Sequence, residues 1–207
     1  AVVLAHPPSR PCSTFDARIG EVYGRDDARR ILATFTGTGL PYAQASYDSV
    51  SRSLDDFATR WADAAEEACL ATDRGEQSEH LLDLRMHCLD RARARLAATV
   101  EVLRDADDTV VRQGPSLASS QAELELCSDL DILERTWVLP ASAEEAEESN
   151  ELFRVLDRIE ALRAAGHKEE AKMLFAERQS RLGASTYPPV QARSLWIEGR
   201  LLGTDHD

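Results

Sequence analysis

The sequence predicts an all-α fold: a long antiparallel helical hairpin with flanking short helices, followed by degenerate helical repeats. Three observations support this prediction. Apolar residues recur at alternating spacings of three and four on both sides of residues 74–91, as they do in amphipathic helices. Gly75 lies between these two stretches, where the chain can turn. Hardly any segment shows the period of two that marks a half-buried strand.

Two short helices are predicted before the hairpin. The first covers residues 13–23. Asp26 or Asp27 can cap the second, because a carboxylate there accepts hydrogen bonds from the unpaired backbone N–H groups of the first turn. That helix runs to residue 36, where a glycine-rich turn follows.

The hairpin itself is predicted over residues 42–73 and 77–104. Each helix carries one apolar stripe, and only Arg93 interrupts the second stripe. Arg93 can extend its charged end to water, or it can pair with Asp55 or Asp56 on the facing helix. The first stripe consists of Tyr47, Val50, Leu54, Phe57, Trp61, Ala64, Ala68 and Ala71. The second stripe consists of Leu82, Met86, Leu89, Leu96, Val100 and Leu103.

The two stripes define which residues should meet. If the chain turns near Gly75, Trp61 lies opposite Leu89 and Leu54 lies opposite Leu96. These pairings follow from helical periodicity alone. Apolar side chains are then expected inside the hairpin, with charged side chains outside.

Two more short helices are predicted after the hairpin, over residues 105–113 and 124–133. Gly114 and Pro115 are expected to end the first of them, because glycine favours helix ends and proline lacks a backbone donor. Residues 116–120 are then predicted to form a polar loop.

A change of composition after Pro140 marks the predicted boundary between the hairpin module, residues 13–140, and a second part, residues 141–207. The second part opens with an acidic stretch. We interpret this stretch as the start of a helix and not as a linker, because Ser142 and Glu145 form a capping-box pattern. Helices are then predicted over residues 151–165, 168–182 and 189–202.

The second part carries a tetratricopeptide-like pattern. A turn glycine, a small residue and an aromatic residue stand at the expected spacing at Gly166, Ala171 and Phe175. A second first-helix pattern appears at Leu195, Gly199 and Leu202. The period between the two copies is 40 residues, against about 34 in ordinary repeats. The pattern predicts two degenerate repeats, the second cut off at Asp207; the alternative is a generic helical hairpin.

The charge of the chain limits its partners. A net charge of −13 argues against nucleic-acid binding, because contact with phosphates requires clustered Lys and Arg side chains. Kinase, P-loop and dinucleotide-binding signatures are absent from the sequence. We therefore predict no catalytic residue and no cofactor, and we expect proteins or small molecules as partners.

One helix face supplies the candidates for a metal site. Glu76, His80, Asp83 and His87 follow one another at helical spacing, with Cys88 adjacent. Such a face could hold zinc or iron if a second helix added ligands. No HExxH or repeated ExxH motif is present, and polar outer faces are usual in amphipathic helices. The favoured interpretation is a solvated face with no metal.

The four cysteines, Cys12, Cys69, Cys88 and Cys127, are dispersed, and their even number permits two disulfides with three connectivities. The alternative is four buried thiols. Cys69 and Cys88 flank the hairpin turn at heights that differ by about seven residues, or ~10 Å. That separation is too large for a bond between them. In an oxidising compartment, each would pair outside the hairpin, with Cys12 or Cys127.

The chain opens with the apolar residues 1–5 and has no initiating Met. Five residues cannot cross a bilayer, which requires about twenty. Two interpretations are open: the end of a membrane helix, or an ordinary chain end. Residues 1–12 are in either case a tail before the hairpin module.

Residues 61–107 and 124–131 resemble the segment after the membrane helix in multidomain serine/threonine protein kinases of myxobacteria. The motifs W…EAC, RGEQS, LLDLRM.CLDR and L.LCSDLD carry the resemblance, in that order. In that family a cytoplasmic kinase domain precedes a single transmembrane helix, and an α-helical extracytoplasmic region with tetratricopeptide-like repeats follows it. The resemblance covers nearly the whole chain, but His80 and His87 are not part of the family pattern.

The resemblance implies a location and a role. Residues 1–5 would end the membrane helix, and Cys12 would begin a region on the periplasmic side of a bacterial inner membrane. The cysteines would then form two disulfides, and the catalytic residues of the kinase would lie outside this chain. The predicted function is a non-catalytic sensor or protein-interaction region that binds a protein or ligand. The alternatives are a stand-alone soluble tetratricopeptide adaptor and, third, a helical metalloenzyme.

Overall fold

The computed structural model describes residues 12–121 and 124–203. Within these ranges the chain forms nine α-helices and one 3-10 helix, Leu124–Cys127, and no strand. The all-α prediction is confirmed. The α-helices are α1 (Phe15–Gly20), α2 (Arg25–Gly37), α3 (Ala43–Asp73), α4 (Glu79–Arg104), α5 (Asp108–Ser119), α6 (Leu130–Thr136), α7 (Ala143–Ala164), α8 (Lys168–Ala184) and α9 (Pro188–Leu202).

Helices α3 and α4 form the predicted antiparallel hairpin. Trp61 is fully buried, and its indole Nε1 donates a hydrogen bond to the carbonyl oxygen of Leu89 at 2.7 Å. This contact confirms the predicted register. Gly75 forms the turn with a φ of 72°, a backbone conformation that glycine adopts without steric cost. The hydroxyl of Ser78 then caps α4 by accepting a hydrogen bond from the backbone N–H of Leu81.

Helices α1 and α2 pack against the hairpin. The ring of Phe15 in α1 meets Trp61 edge-on, with ring centroids 6.3 Å apart. The prediction that Asp26 or Asp27 caps α2 is wrong in detail, because Gly24 occupies the N-cap position. Asp27 instead accepts a hydrogen bond from the backbone N–H of Gly24 at 2.9 Å. The Asp27 carboxylate therefore still stabilises the start of α2, but it does so from the third residue of the helix.

Helix α5 extends further than predicted. It continues through Gly114 and Pro115 to Ser119, so the predicted helix end and the polar loop at residues 116–120 are both wrong. Proline inside a helix removes one backbone hydrogen bond. Burial of apolar side chains beyond it, such as that of Leu117, favours the helix all the same.

Two disulfides fasten the hairpin to its neighbours. Cys12 is bonded to Cys69 with a Cα–Cα distance of 5.7 Å, and Cys88 is bonded to Cys127 with a distance of 5.5 Å. Each hairpin cysteine therefore pairs outside the hairpin, and no cysteine is free. One bond ties the segment before α1 to α3, and the other ties the 3-10 helix to α4. Two disulfides are consistent with an oxidising, extracytoplasmic location.

The acidic stretch after Pro140 is the start of a helix, as predicted. The hydroxyl of Ser142 accepts a hydrogen bond from the backbone N–H of Glu145 at 3.1 Å, and α7 begins at the next residue after Ser142. A tight turn at Gly166, with a φ of 93°, then joins α7 to α8. Ala171 is fully buried in α8, so its small side chain allows the two helices to approach closely.

Helix α9 buries a different face from the one predicted. Leu195 and Leu202 are 68% and 79% exposed, and Gly199 is exposed as well. The buried positions of α9 are instead Val190, Ile197 and Leu201. Helix α9 packs on α7 and α8, and these three positions lie on the side that the packing covers. The tetratricopeptide-like assignment itself stays a prediction.

The core is continuous across residue 140. Helix α7 packs along α4, and apolar residues from both sides of that position belong to one buried cluster. In the described ranges, no helix has both the length and the apolar character that crossing a bilayer requires. Residues 1–5, interpreted from the sequence as a possible end of a membrane helix, lie outside the described residues.

The disulfide pairing can be checked directly. Peptide mapping without reductant should recover the pairs Cys12–Cys69 and Cys88–Cys127, and any Cys12–Cys88 peptide would contradict the structure. Replacing both members of either pair with serine should lower the free energy of unfolding by about 2–4 kcal/mol, measured by urea denaturation. The two bonds close loops of 57 and 39 residues. Because the entropy of loop closure depends only weakly on loop length, the two double variants should lose similar amounts of stability.

Candidate functional site

The metal candidates do not converge in the described part of the structure. His80 and Asp83 are exposed, while His87 is half-buried. The only group of three metal-ligating side chains found within the described residues is Cys12, Cys69 and Asp73. Both of its sulfurs belong to one disulfide, so neither is a thiolate that could bind a metal.

His87 takes part in an aromatic contact. Its ring meets Trp137 edge-on, with centroids 5.6 Å apart. Burial lowers the pKa of His87 below its usual range, and the positive charge of Arg91 lowers that pKa further, against the opposing effect of Asp90. His87 is therefore stabilised in its neutral form.

Arg93 lies elsewhere than expected. Its guanidinium Nε is 3.5 Å from Asp90 of the same helix, and its charge lies 6.0 Å from the ring centroid of Trp61. The predicted alternative of pairing with Asp55 or Asp56 is therefore wrong. The Arg93 side chain is 27% exposed, and its partner Asp90 is one that the sequence did not indicate.

Two other arginines of α4, Arg85 and Arg91, are buried, and Arg91 forms an ion pair. Its guanidinium Nη2 is 2.6 Å from Oδ2 of Asp157 in α7, and the two side chains are only 6% and 1% exposed. The guanidinium also lies over the ring of Phe153, 3.9 Å from its centroid. This ion pair joins α4 of the hairpin to the first helix of the second part.

A cavity of about 550 Å³ opens beside this ion pair, between α4, α5, α7 and α9. We call it the arginine groove. Five cationic side chains and two carboxylates line it, an excess of three positive charges in a strongly acidic chain. The cations are Arg95, Arg163, Lys168, Arg193 and Arg200, and the carboxylates are Asp157 and Glu160.

Each of the two carboxylates closely binds one arginine, and for Glu160 that arginine is part of the groove lining. Asp157 binds Arg91, which lies outside the groove lining, and Glu160 accepts two hydrogen bonds from Arg163, both at 2.9 Å. Arg95 is left with a long contact, in which its Nε lies 3.9 Å from Oδ1 of Asp157. For Arg193, no hydrogen bond or ion pair is found among the described residues. Arg95, Arg193 and Arg200 are therefore the groove arginines that no carboxylate of the lining binds at close range.

Burial weakens the charged forms of two groove arginines. It lowers the pKa of Arg95, and the like charge of Arg193 lowers that pKa further. Burial also lowers the pKa of Arg193, against the attraction of Asp157 and Glu160. The Nε atoms of Arg95 and Arg193 are buried without a hydrogen-bond partner. Such donors are stabilised when an acceptor enters.

Trp196 forms the aromatic wall of the groove. Arg193 and Arg200 lie over its ring, at 4.5 and 4.7 Å from the centroid, so the indole orders both guanidinium groups. A second cavity of about 360 Å³ shares Arg95, Arg193 and Trp196 with the groove. It is otherwise mainly aromatic, with Trp137, Phe153 and Tyr187 in its lining.

Sequence reasoning missed this site, although part of the signal was present. Arg193, Trp196 and Arg200 follow at intervals of three and four, which places them on one helix face. Arg91 and Arg95 are likewise four residues apart on α4. No pattern in the sequence shows that these two faces meet, because that depends on how α7 docks on α4.

Comparisons of the chain with protein-family models, with curated proteins and with solved structures gave no match. The groove is therefore interpreted from its own geometry.

Removing one partner of the buried ion pair tests its structural role. Asp157→Ala should lower the free energy of unfolding by about 3–5 kcal/mol, because Arg91 would stay buried without a counter-charge. Asp63→Ala, at an exposed position of α3, is the matched control and should change it by less than about 0.5 kcal/mol. Urea denaturation measures both, and equal losses would contradict the role.

The double variant Arg91→Met with Asp157→Leu provides a second check. Replacing both charges with apolar side chains of similar size should recover most of the stability that Asp157→Ala loses, since no buried charge then lacks a partner.

The lowered pKa of His87 predicts that the protein loses stability at mildly acidic pH. Because its pKa is lowered on folding from the ordinary 6.5, the unfolded chain binds a proton first as the pH falls. The stabilisation is therefore fully present above pH 6.5 and is lost below it. His87→Asn should flatten the decline of unfolding free energy over this range. An NMR titration midpoint of the His87 ring at or above 6.5 would contradict the prediction.

Proposed function

We propose that this chain is a non-catalytic recognition region on the outer side of a bacterial inner membrane, attached to a serine/threonine protein kinase. In this proposal the arginine groove binds a protein or small ligand, and binding biases the activity of the kinase domain on the other side of the membrane.

The observation that carries the proposal is a set of three groove arginines, Arg95, Arg193 and Arg200, that no carboxylate binds at close range. Guanidinium groups remain protonated in proteins, so Arg95, Arg193 and Arg200 can hold an acceptor but do not exchange protons with it. Ligand sites are concave and use placed polar groups to orient the ligand, and this cavity offers guanidinium donors beside the indole of Trp196. The chemistry of this lining favours binding over acid–base catalysis.

The disulfides support the location. All four cysteines are paired, and disulfides persist in the bacterial periplasm but are rare in the cytosol. The resemblance of residues 61–107 and 124–131 to the region after the membrane helix of myxobacterial kinases supports the attachment to a kinase.

The position of the groove suggests how a signal could arise. Arg95 belongs to α4 of the hairpin, while Arg193 and Arg200 belong to α9, and α7 lies between these helices. A ligand that contacts both walls has a different affinity for different spacings of α4 and α9. Only such a difference in affinity can shift a conformational equilibrium.

The gene sequence tests the attachment to a kinase, and labelling of the protein in cells tests its location outside the inner membrane. The gene upstream of Ala1 should encode a membrane-spanning segment and, before it, a kinase domain with HRD and DFG motifs. In intact cells, after mild reduction, a thiol reagent that cannot cross the inner membrane should label these cysteines from outside. Absence of both the membrane segment and the kinase domain would leave the alternative, a stand-alone adaptor.

A further inference from the structure

We propose that the arginine groove binds a small polyvalent oxyanion, a ligand with two or more carboxylate or phosphate groups, held between Arg95 on α4 and Arg193 and Arg200 on α9. The inference rests on the proposed recognition function and names the class of ligand.

The charge of the groove lining favours an anionic ligand. The groove has three more positive than negative side chains, although the chain as a whole carries a net charge of −13. Neither carboxylate of the lining is bound closely by Arg95, Arg193 or Arg200. Asp157 binds Arg91, which lies outside the lining, and Glu160 binds Arg163. Arg95, Arg193 and Arg200 are left without a closely bound carboxylate. Like charges held together in this way destabilise a folded chain. Their retention in one cavity is explained if an anion occupies it.

The arrangement of the guanidinium N–H donors favours an oxyanion over other anions. A guanidinium presents a planar array of donors that matches the two oxygens of a carboxylate or phosphate. The Nε donors of Arg95 and Arg193 are buried without partners, and both residues line the cavity. The Oδ1 atom of Asp157 also lacks a hydrogen bond. It can accept one from a ligand hydroxyl or from a water molecule that bridges to the ligand.

The placement of these arginines indicates that the ligand carries more than one anionic group. Arg95 belongs to α4, whereas Arg193 and Arg200 belong to α9, so guanidinium groups without a close carboxylate line the cavity from two helices. A monovalent anion would neutralise only part of this charge.

The size of the cavity favours a small molecule. About 550 Å³ lies within the range of pockets that enclose small ligands. Trp196 supplies a rigid wall whose ring is held by Arg193 and Arg200. A ligand that binds these two guanidinium groups changes the electrostatic surroundings of the indole, so Trp196 also serves as a fluorescent reporter.

The test measures binding to the whole disulfide-bonded chain. Isothermal titration calorimetry with pyrophosphate and, separately, with citrate should give saturable binding that weakens as sodium chloride is added. Trp196 fluorescence should change along the same titration curve. Binding of pyrophosphate alone assigns a phosphate ligand, binding of citrate alone assigns a carboxylate ligand, and binding of both confirms the shared oxyanion chemistry.

Matched variants locate the binding to the groove. Arg193→Gln should weaken it by at least about tenfold, the loss expected when one charge-assisted contact is removed. Arg29→Gln is the control, because it removes the same charge from α2, where the side chain is 78% exposed, and it should change the affinity by less than about twofold. Arg95→Gln gives an independent reading, and circular dichroism with thermal unfolding establishes that each variant is folded.

Two results would overturn the inference: no saturable binding of either probe, or equal loss of affinity in Arg29→Gln and Arg193→Gln. Neither result bears on the membrane attachment, which the gene sequence and the labelling of intact cells decide separately. If the gene and labelling experiments show an exported, kinase-linked region but neither probe binds, the oxyanion inference is refuted and the proposed location and attachment stand.

Discussion

Helices α3 and α4 are held antiparallel by apolar packing around Trp61, whose indole is fully buried and hydrogen-bonded to the backbone of the facing helix. Helices α1, α2, α5, α6 and α7 and the 3-10 helix all pack on one or both of them. Each disulfide also uses one cysteine of the pair, Cys69 in α3 or Cys88 in α4. The hairpin thus provides the surface on which the remaining helices are placed.

The ion pair between Arg91 and Asp157 decides how the second part docks on the hairpin. Removing two charges from water is costly, and a buried pair is often no more stable than apolar side chains of similar volume. Its contribution here is geometric. A carboxylate that is 1% exposed tolerates few positions other than beside its guanidinium. The pair therefore fixes α7 against α4, and through α7 it fixes the position of α9.

The arginine groove follows from that arrangement. Because Asp157 is bound by Arg91, it cannot fully neutralise Arg95, one turn further along α4. Because Glu160 is bound by Arg163, it neutralises Arg193 and Arg200 poorly. The structural ion pairs thus account for the uncompensated charge in the cavity. The same contacts that hold the two parts together leave the groove electropositive.

Helical periodicity alone determined the all-α class, the long hairpin and its register, because a stripe of apolar residues has only one side to bury. It also excluded a bond between Cys69 and Cys88, since distance along a helix is fixed by residue count. Rules for helix ends were less decisive. Gly114 and Pro115 did not end α5, because packing of the residues beyond them outweighed the lost backbone hydrogen bond.

What only the tertiary structure decided was how separate helices meet. It decided between the two disulfide pairings left open and placed Arg91, not Arg93, in the ion pair with α7. It also left Leu195 and Leu202 of α9 exposed. It also brought Arg95 and Arg193, which are far apart in the chain, to one cavity. The physical reason is that periodicity describes one helix at a time, whereas a binding site depends on the distances between helices.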